Sequence, residues 1–140
     1  MISGGSSVAA QSVNYNTSAT KPADPSMTGY TFAGWFTDKE CTTAYDFSSK
    51  VTGDITLYAK WNINSYKVSF DSNGGSSVVA QSVNYNTSAT KPADPSMTDY
   101  TFAGWFTDKE GKNAYDFSSK VTGDITLYAK WDKIPDQSFN

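Results

Sequence analysis

Two groups of carboxylates are the residues of this sequence best able to do chemistry. Each group contains two aspartates and one glutamate: Asp38, Glu40 and Asp46 in the first, and Asp108, Glu110 and Asp116 in the second. Carboxylates at such spacing can act as a general acid and base or bind calcium. A lysine interrupts each group, and the spacing is not that of a calcium loop, so a solvated loop is the favoured interpretation. The sequence therefore predicts no catalytic residues, no metal site and no cofactor.

Other reactive residue types are scarce. The chain has no histidine, and its only cysteine, Cys41, is replaced by Gly111 seventy positions later. A single thiol cannot form an internal disulfide, and such a residue is more often buried or incidental than reactive. The run Asn73-Gly74-Gly75 lacks the lysine and the following helix of a phosphate-binding loop, so it predicts a hairpin turn. Because its counterpart in the second copy is a glycine, Cys41 is predicted to be incidental.

Composition limits the classes of partner. Hydrophobic residues make up 38% of the chain and aromatic residues 15%, which is enough to form a core. The net charge is −3, and the 11 basic residues are scattered singly, so nucleic acid is excluded as an expected partner. No run of eighteen apolar residues is present, so we expect no direct membrane insertion. The first residues lack the pattern of a signal peptide, and any export signal is expected in a longer parent protein.

A tandem duplication dominates the organisation of the chain. Residues 4–61 align with residues 74–131, and these 58 pairs differ at only five positions. A period of about seventy residues exceeds that of solenoid repeats and approaches the smallest size of a self-sufficient domain. We predict a first repeat at 1–61 that lacks its first strand, a short linker at 62–65, a complete second repeat at 66–131 and a tail at 132–140.

The periodicity within the second repeat is mainly that of strands. Tyr66, Val68 and Phe70 alternate with polar residues, as in a half-buried strand. Further strands are predicted around Val79–Tyr85, at Tyr100–Thr107 and at Ile125–Trp131. Between them, Phe117 and Val121 are four residues apart, which predicts a short helix or turn. Each repeat is thus expected to be a small α+β unit, with a mixed sheet of about four strands and one short helix.

Aromatic residues are the main candidates for binding. Alternation places Tyr100, Phe102 and Phe106 on one face of their strand and Trp105 on the other, while Gly104 predicts a bulge or a close backbone approach. The candidate binding residues lie opposite the main apolar face: Trp35, Tyr58, Trp105 and Tyr128. An exposed tryptophan and tyrosine could stack on sugar rings or anchor a protein partner. The alternative is that a loop or helix packs over that face.

Three segments together carry a family resemblance: VSFDSNGG, VNYNTSATKPADPSMTDYTFAGWFTD and AYDFSSKVTGDITLYAKW. This order of motifs resembles the Listeria-Bacteroides repeat, also called the internalin B repeat. The similarity covers Tyr66 to Trp131 fully and Gly4 to Trp61 apart from the first strand. The resemblance implies a β-grasp-like, ubiquitin-related fold and repeated arrays on secreted or wall-attached bacterial proteins.

These observations predict a non-catalytic repeat module of an extracellular bacterial surface protein, acting as a stalk or spacer and as an adhesion unit. The alternative is a recognition module that binds a host protein or glycan through its aromatic residues. Nothing in residues 1–3 replaces Tyr66 to Asp71, so the first repeat is predicted to lack a strand and to expose strand edges. Strand-mediated self-association is therefore a further expectation, with the tail residues Ile134 and Phe139 in one candidate donor.

Overall fold

The protein forms two compact units in the computed structural model, which describes residues 4–135. The division falls between Asn64 and Ser65. The strands of the first unit are β1 (Thr17–Ser18), β2 (Tyr30–Phe36), β3 (Lys50–Val51) and β4 (Tyr58–Ile63). Those of the second unit are β5 (Ser65–Asp71), β6 (Gln81–Asn84), β7 (Tyr100–Phe106) and β8 (Ile125–Lys133). Three of the four residues predicted as a linker, Asn62, Ile63 and Ser65, therefore belong to strands.

The second unit contains one four-stranded sheet with the order β6-β5-β8-β7. The central pair, β5 and β8, is parallel, while the two outer pairings are antiparallel. Alternation in β5 and β8 directs one apolar face of the sheet inward, as it does in half-buried strands generally. The buried cluster on that face consists of Val68, Phe70, Val83, Ala89, Trp105, Val121, Leu127 and Ala129.

A β-bulge in β7 changes which side chains face the core. Phe102 pairs with Trp131, and Gly104 pairs with Lys130, so β7 contains one extra residue between these pairs. Gly104 has a φ of 121°, a conformation that favours glycine. Of the two structures predicted at Gly104, a bulge or a close backbone approach, the bulge is confirmed. The extra residue brings Phe102 and Trp105 onto one face, so the prediction that Trp105 faces away from the apolar set is wrong.

The helix predicted between β7 and β8 is the main error in the fold predicted from the sequence. No helix occurs among residues 4–135, so the α+β class, with a β-grasp-like helix in each unit, is wrong, and the fold is built from strands and turns. The Asp116 carboxylate instead accepts the backbone N–H of Ser118 at 2.9 Å, which closes a short turn. Val121 then exchanges backbone hydrogen bonds with residues 86 and 87, which requires extended chain. The segment that holds Phe117 and Val121 is therefore a turn followed by a β-bridge between Val121 and Thr87.

The connection from β5 to β6 begins with the predicted turn. Asn73 and Gly74 have φ values of 55° and 101°, which asparagine and glycine tolerate well. The chain then runs on to Gln81 before β6 begins, so this connection is longer than a tight hairpin. Val79, predicted to lie in that strand, is 86% exposed, while its neighbour Val78 packs against the core.

The first unit reproduces only part of this arrangement. Strands β2 and β4 pair with the same bulge as β7 and β8, here between Phe32 and Gly34. Strands β1 and β3 form a separate two-residue pair. Residues 4–64 contain no counterpart of β5 or β6, and β4 begins at Tyr58, whereas β8 begins three residues earlier in the repeat, at Ile125. The absence of a strand equivalent to β5 therefore changes the strands that would lie beside it.

Candidate functional site

The first carboxylate of each group, Asp38 or Asp108, closes a loop. Both carboxylate oxygens of Asp108 accept the backbone N–H of Lys112 at 3.0 Å, and Oδ1 also accepts that of Asn113 at 2.9 Å. The Asn113 hydrogen bond lowers the pKa of Asp108 more than any other interaction. Asp38 makes the same contacts in the first repeat, where the Thr42 hydroxyl lowers its pKa most. These carboxylates are held as hydrogen-bond acceptors for the backbone.

The third carboxylate of each group also serves a turn. Asp116 accepts the Ser118 hydroxyl at 2.7 Å, and Asp46 accepts that of Ser48 at the same distance. These hydroxyl hydrogen bonds lower the pKa of both carboxyls. Within residues 4–135, no three histidine, cysteine, aspartate or glutamate side chains are placed to hold a metal ion. The geometry therefore explains these carboxylates as turn-closing groups.

Cys41 lies in the same loop of the first repeat. The residue is only 8% exposed, and Sγ lies 3.7 Å from the carbonyl oxygen of Lys39 and 3.8 Å from that of Ala59. Burial raises the pKa of the Cys41 thiol, and the nearby charge of Asp38 adds to that effect. A protonated thiol is a poor nucleophile, so this environment does not activate the residue.

The two candidate tryptophans face the apolar side of their sheets. Trp105 is 3% exposed and packs edge-to-face on Phe70 and Phe102, with centroids 4.9 and 5.3 Å apart. Its indole N–H is buried and has no hydrogen-bond acceptor among the described residues. Trp35 occupies the equivalent place, but it lines an open groove in the first repeat. Neither residue is an outward-facing anchor of the kind that the sequence suggested.

The two candidate tyrosines lie on the opposite face. Tyr128 is half-buried between the inward residues Leu127 and Ala129, and it pairs with Phe106 across the β7–β8 ladder. The ammonium of Lys130 lies 5.5 Å from the centre of the Phe106 ring, within the range of a cation–π contact. Tyr58, Phe36 and Lys60 repeat this patch, with a distance of 5.7 Å. Phe106 was predicted on the core face, and the bulge moves it to this outer one.

An open groove of about 680 Å³ lies in the first repeat. Its apolar lining includes Val13, Ala19, Trp35, Phe47, Val51 and Leu57. The exposed carboxylate of Asp54 also borders it. A groove of this size and polarity could bind an extended apolar segment.

The second repeat shows what the groove lacks. Counterparts of the groove residues, such as Trp105 and Leu127, pack with Val68 and Phe70 from β5 in the buried core. Leu127 is fully buried, whereas the identical Leu57 is partly exposed. The same change from buried to partly exposed affects the positions equivalent to Val83, Ala89, Trp105, Val121 and Ala129. The groove therefore lies where β5 would lie if the first repeat were complete.

The sequence predicts the missing strand, but it does not by itself mark Leu57 and Asp54 as groove residues. The available signal was the alignment itself: Leu57 is equivalent to Leu127, and Asp54 to Asp124. Asp124 accepts the backbone N–H of Lys67 in β5 at 2.9 Å. Asp124 contacts β5 in the second repeat, whereas residues 4–64 contain no equivalent strand for Asp54 to contact.

Comparison with known proteins follows the repeat boundaries. A family model described as the Listeria-Bacteroides repeat domain matches residues 1–60 and 66–130. A protein of Evansella cellulosilytica, provisionally named a Gly-rich membrane protein, is 45% identical over 131 residues, which are 92% of this chain and 15% of that protein. Internalin H of Listeria monocytogenes is 39% identical over 117 residues, which are 81% of this chain and 21% of that protein.

A second protein of Evansella cellulosilytica, provisionally named a membrane protein, is 42% identical over 92% of this chain and 20% of its own length. The chain thus spans about a fifth or less of the length of these relatives. No helix within residues 4–135 is long and apolar enough to cross a membrane.

Proposed function

The chain belongs to the Listeria-Bacteroides repeat domain family, and we propose that it acts as a non-catalytic repeat module of a bacterial surface protein, where it serves as a spacer and an adhesion unit. The observation that carries the proposal is the tandem match of one family model to both halves of the chain. An array made from nearly identical units extends a protein in space without needing a different chemistry in each unit.

The use of polar side chains supports a role without catalysis. A general acid or base has to reach a substrate with a suitable proton affinity. Asp38 and Asp108 instead accept several hydrogen bonds from their own loops, which lower their pKa values. A strongly ionised carboxylate with occupied acceptor sites is a weak base, so these residues are suited to holding loop shape.

The cell envelope is the proposed location. Support comes from the names of the similar proteins, which include Internalin H and two proteins provisionally named membrane proteins. We place the module on the extracellular surface, where a spacer or adhesion unit could meet another cell. A longer parent protein would supply attachment to the envelope.

Surface display tests this proposal. The chain is fused to an outer-surface anchor in a non-adherent bacterium, and attachment to cultured host cells is counted. A strain displaying the Phe32→Ala, Phe102→Ala double variant at the same level provides a control in which both repeats are destabilised, and Thr101→Ala provides a folded one. Adhesion that requires a folded module would be lost with the double variant and kept with Thr101→Ala. Equal attachment by all strains and by the anchor alone would contradict an adhesion role.

The spacer role has a separate readout. A peptide epitope is placed at the outer end of anchors that carry no module, one copy or two copies of this chain. Binding of a large antibody to the epitope should increase with the number of copies, because each folded unit moves the epitope farther from the cell envelope. Equal antibody binding by all three strains would contradict the spacer role.

The second candidate function is recognition of a host protein or glycan through Tyr58 and Tyr128. The outer face of each repeat favours it, because a half-buried tyrosine there pairs with a phenylalanine that a lysine covers. A glycan array and a host-receptor screen would compare the native chain with the Tyr58→Ala, Tyr128→Ala double variant. Thr56→Ala with Thr126→Ala is the matched control, since both threonines are exposed. Loss of a binding signal only in the tyrosine variant would support recognition.

A further inference from the structure

We propose that the second repeat is a load-bearing module, in which the parallel pairing of its first and last strands resists a force that pulls on the chain. This role rests on the proposed surface function only for the origin of the force, which arises when a surface protein holds a cell to another surface. The resistance itself follows from the sheet topology of the second unit, and it can be measured without any partner.

The first and last strands of the second unit lie side by side and run in the same direction. Residues 68–71 of β5 pair in parallel with residues 125–128 of β8. The chain enters β5 at Ser65 and leaves β8 at Lys133. Tension along the chain therefore pulls the two strands in opposite directions along their lengths. In this geometry the evenly spaced hydrogen bonds between the strands bear the load together, so they have to break at nearly the same time.

Neither of the two loaded strands lies at an edge of the sheet. The strand order is β6-β5-β8-β7, so β6 holds the other side of β5, and β7 holds the other side of β8. An edge strand can be peeled away while the rest of a sheet stays paired, but a central strand leaves only when both of its ladders open. The centre of the sheet therefore carries the load.

Side chains extend the pairing beyond both ends of the parallel ladder. At one end, the Asp124 carboxylate accepts the backbone N–H of Lys67 at 2.9 Å. At the other end, the indole N–H of Trp131 donates to the carbonyl oxygen of Ser72 at 2.7 Å. Each of these hydrogen bonds joins the β5 side of the ladder to the β8 side. Sliding one strand past the other has to break them as well.

The inner face of the loaded pair is closed to water. Val68 and Leu127 are 0% exposed, while Phe70 and Ala129 are 8% and 1% exposed. Water that reaches a strained hydrogen bond can replace it, which lowers the cost of breaking it. These apolar side chains keep water away from one side of the β5–β8 ladder, and separating the strands would expose them to water. Apolar burial therefore adds to the resistance.

Pulling the same fold in two directions tests the proposal. The full chain carries Cys41→Ser, so that only two introduced cysteines react with DNA handles in an optical trap. Phe139, part of the strand donor predicted in the tail, lies outside the described residues, so the second handle is placed at the exposed Ile134. The shear pair, Ser65→Cys with Ile134→Cys, loads β5 against β8. The unzipping pair, Thr98→Cys with Ile134→Cys, pulls β7 from β8 at the end where β7 begins and β8 ends, so their residue pairs open one after another.

Only the direction of the force differs between the two handle pairs. We expect the mean unfolding force of the shear pair to be at least twice that of the unzipping pair at the same loading rate, because forced unfolding follows the unfolding rate along the pulled direction. Shear unfolding should be one step of about 200 Å. Residues 65–134 extend at about 3.3 to 3.6 Å each, and the folded strands already span about 40 Å.

Asp124→Ala shows whether the hydrogen bond to Lys67 belongs to the resisting structure. At constant force, it should speed unfolding of the shear pair about tenfold, because a charged acceptor is lost from the bonds that break together. It should change the unzipping rate by less than about threefold, since unzipping begins at the far end of β8. Asp94→Ala, at another exposed position of the same unit, is the matched control and should change neither rate.

Equal unfolding forces for the two handle pairs would overturn the proposal, and so would gradual unravelling of the shear pair in many small steps. An equal effect of Asp124→Ala on both pairs would contradict its place in the resisting structure. Failure of the spacer or adhesion role would appear in the display experiments, which apply no controlled force, and would leave these unfolding forces unchanged.

Discussion

Phe102 and Trp105 pack edge-to-face on one side of β7, with ring centroids 5.3 Å apart and an interplanar angle of 63°. Regular alternation would place residues three apart on opposite faces. The extra residue of the bulge reverses the alternation between them, so both rings contribute to the core. The first repeat has the same arrangement, with Phe32 and Trp35 rings 5.4 Å apart.

Replacing Phe102 by alanine should strongly destabilise the second repeat. The Phe102 ring contacts those of Trp105 and Trp131 at 5.3 and 5.5 Å. Truncating a phenylalanine in a core costs about 3 to 5 kcal/mol, and its partial exposure places Phe102 near the lower end. Urea unfolding followed by tryptophan fluorescence measures the change. Thr101→Ala, at an exposed neighbouring position, should stay within about 0.5 kcal/mol. Equal midpoints for the two variants would contradict the face assignment.

Replacing Gly104, the glycine of the bulge, by alanine should also destabilise the second repeat. Its φ of 121° is rarely adopted by residues with a Cβ, so Gly104→Ala should lower the free energy of unfolding by about 1 to 3 kcal/mol. Gly123→Ala is the matched control, because Gly123 is not in that conformation and an added Cβ would meet no atom within 4 Å. Thermal unfolding of both variants gives the comparison. A similar loss at both positions would show that backbone conformation is not the cause.

Local patterns allowed much of the sheet to be predicted from the sequence. Alternation identified β5, β7 and β8, since each has one apolar face, and glycine chemistry identified the bulge at Gly104. Alternation alone could not show that the bulge moves Trp105 inward and Phe106 outward. That change depends on where the extra residue falls in the ladder with β8.

Longer-range interactions explain the other errors. The spacing of Phe117 and Val121 fits one helical turn, but Val121 pairs with Thr87, thirty-four residues earlier in the chain. Such a pairing overrides a weak local preference. The groove could have been predicted more fully, because aligning the repeats assigns each residue that touches β5 to a counterpart in the first repeat.

Acid should destabilise the loops closed by Asp38 and Asp108. Hydrogen bonds lower their pKa values in the folded chain below the ordinary 3.8. The unfolded chain therefore binds more protons between the folded and the ordinary pKa, so stability rises with pH in that window. The stabilisation is present above about pH 4 and is lost as the pH falls through the lower, folded pKa.

Asp108→Asn tests this pH dependence. The melting temperature of the variant should fall below that of the native chain at pH 6, where the native carboxylate is ionised. The difference should shrink as the pH falls below 3, because protonation then removes the native charge as well. A difference that stays constant from pH 6 to pH 2.5 would show that the charge of Asp108 does not matter.

Cys41 should be protected from reagents by folding. The residue is 8% exposed and burial raises the pKa of its thiol, so little thiolate is present at neutral pH. Labelling by iodoacetamide should be much slower in the folded chain than in urea. Cys41→Ser should leave the fold unchanged, since a hydroxyl could donate to the same carbonyl of Ala59. Rapid labelling of the folded chain, or unfolding by the serine substitution, would contradict this description.

The positive φ shared by Cys41 and its counterpart Gly111 allows a test by the opposite substitution, Gly111→Cys. Cys41 has a φ of 60°, and Gly111, its counterpart, has a φ of 70°. A Cβ at Gly111 would lie 2.9 Å from Cδ of Lys130. Gly111→Cys should therefore destabilise the second repeat by about 1 to 2 kcal/mol through its left-handed conformation. A melting temperature equal to that of the native chain would show that the loop adapts at no cost.

Hydrogen exchange of matched amides tests the central claim most directly, namely that the first repeat has an open groove where the second holds β5. Residues 55–57 and 125–127 have the same local sequence, so their intrinsic exchange rates are equal, and only structure can separate them. We predict that Ile55–Leu57 exchange at least tenfold faster than Ile125–Leu127 by NMR, and that a copy of Ser65–Asn73 placed before Gly4 removes the difference. Equal protection of the two segments in the native chain would contradict the claim.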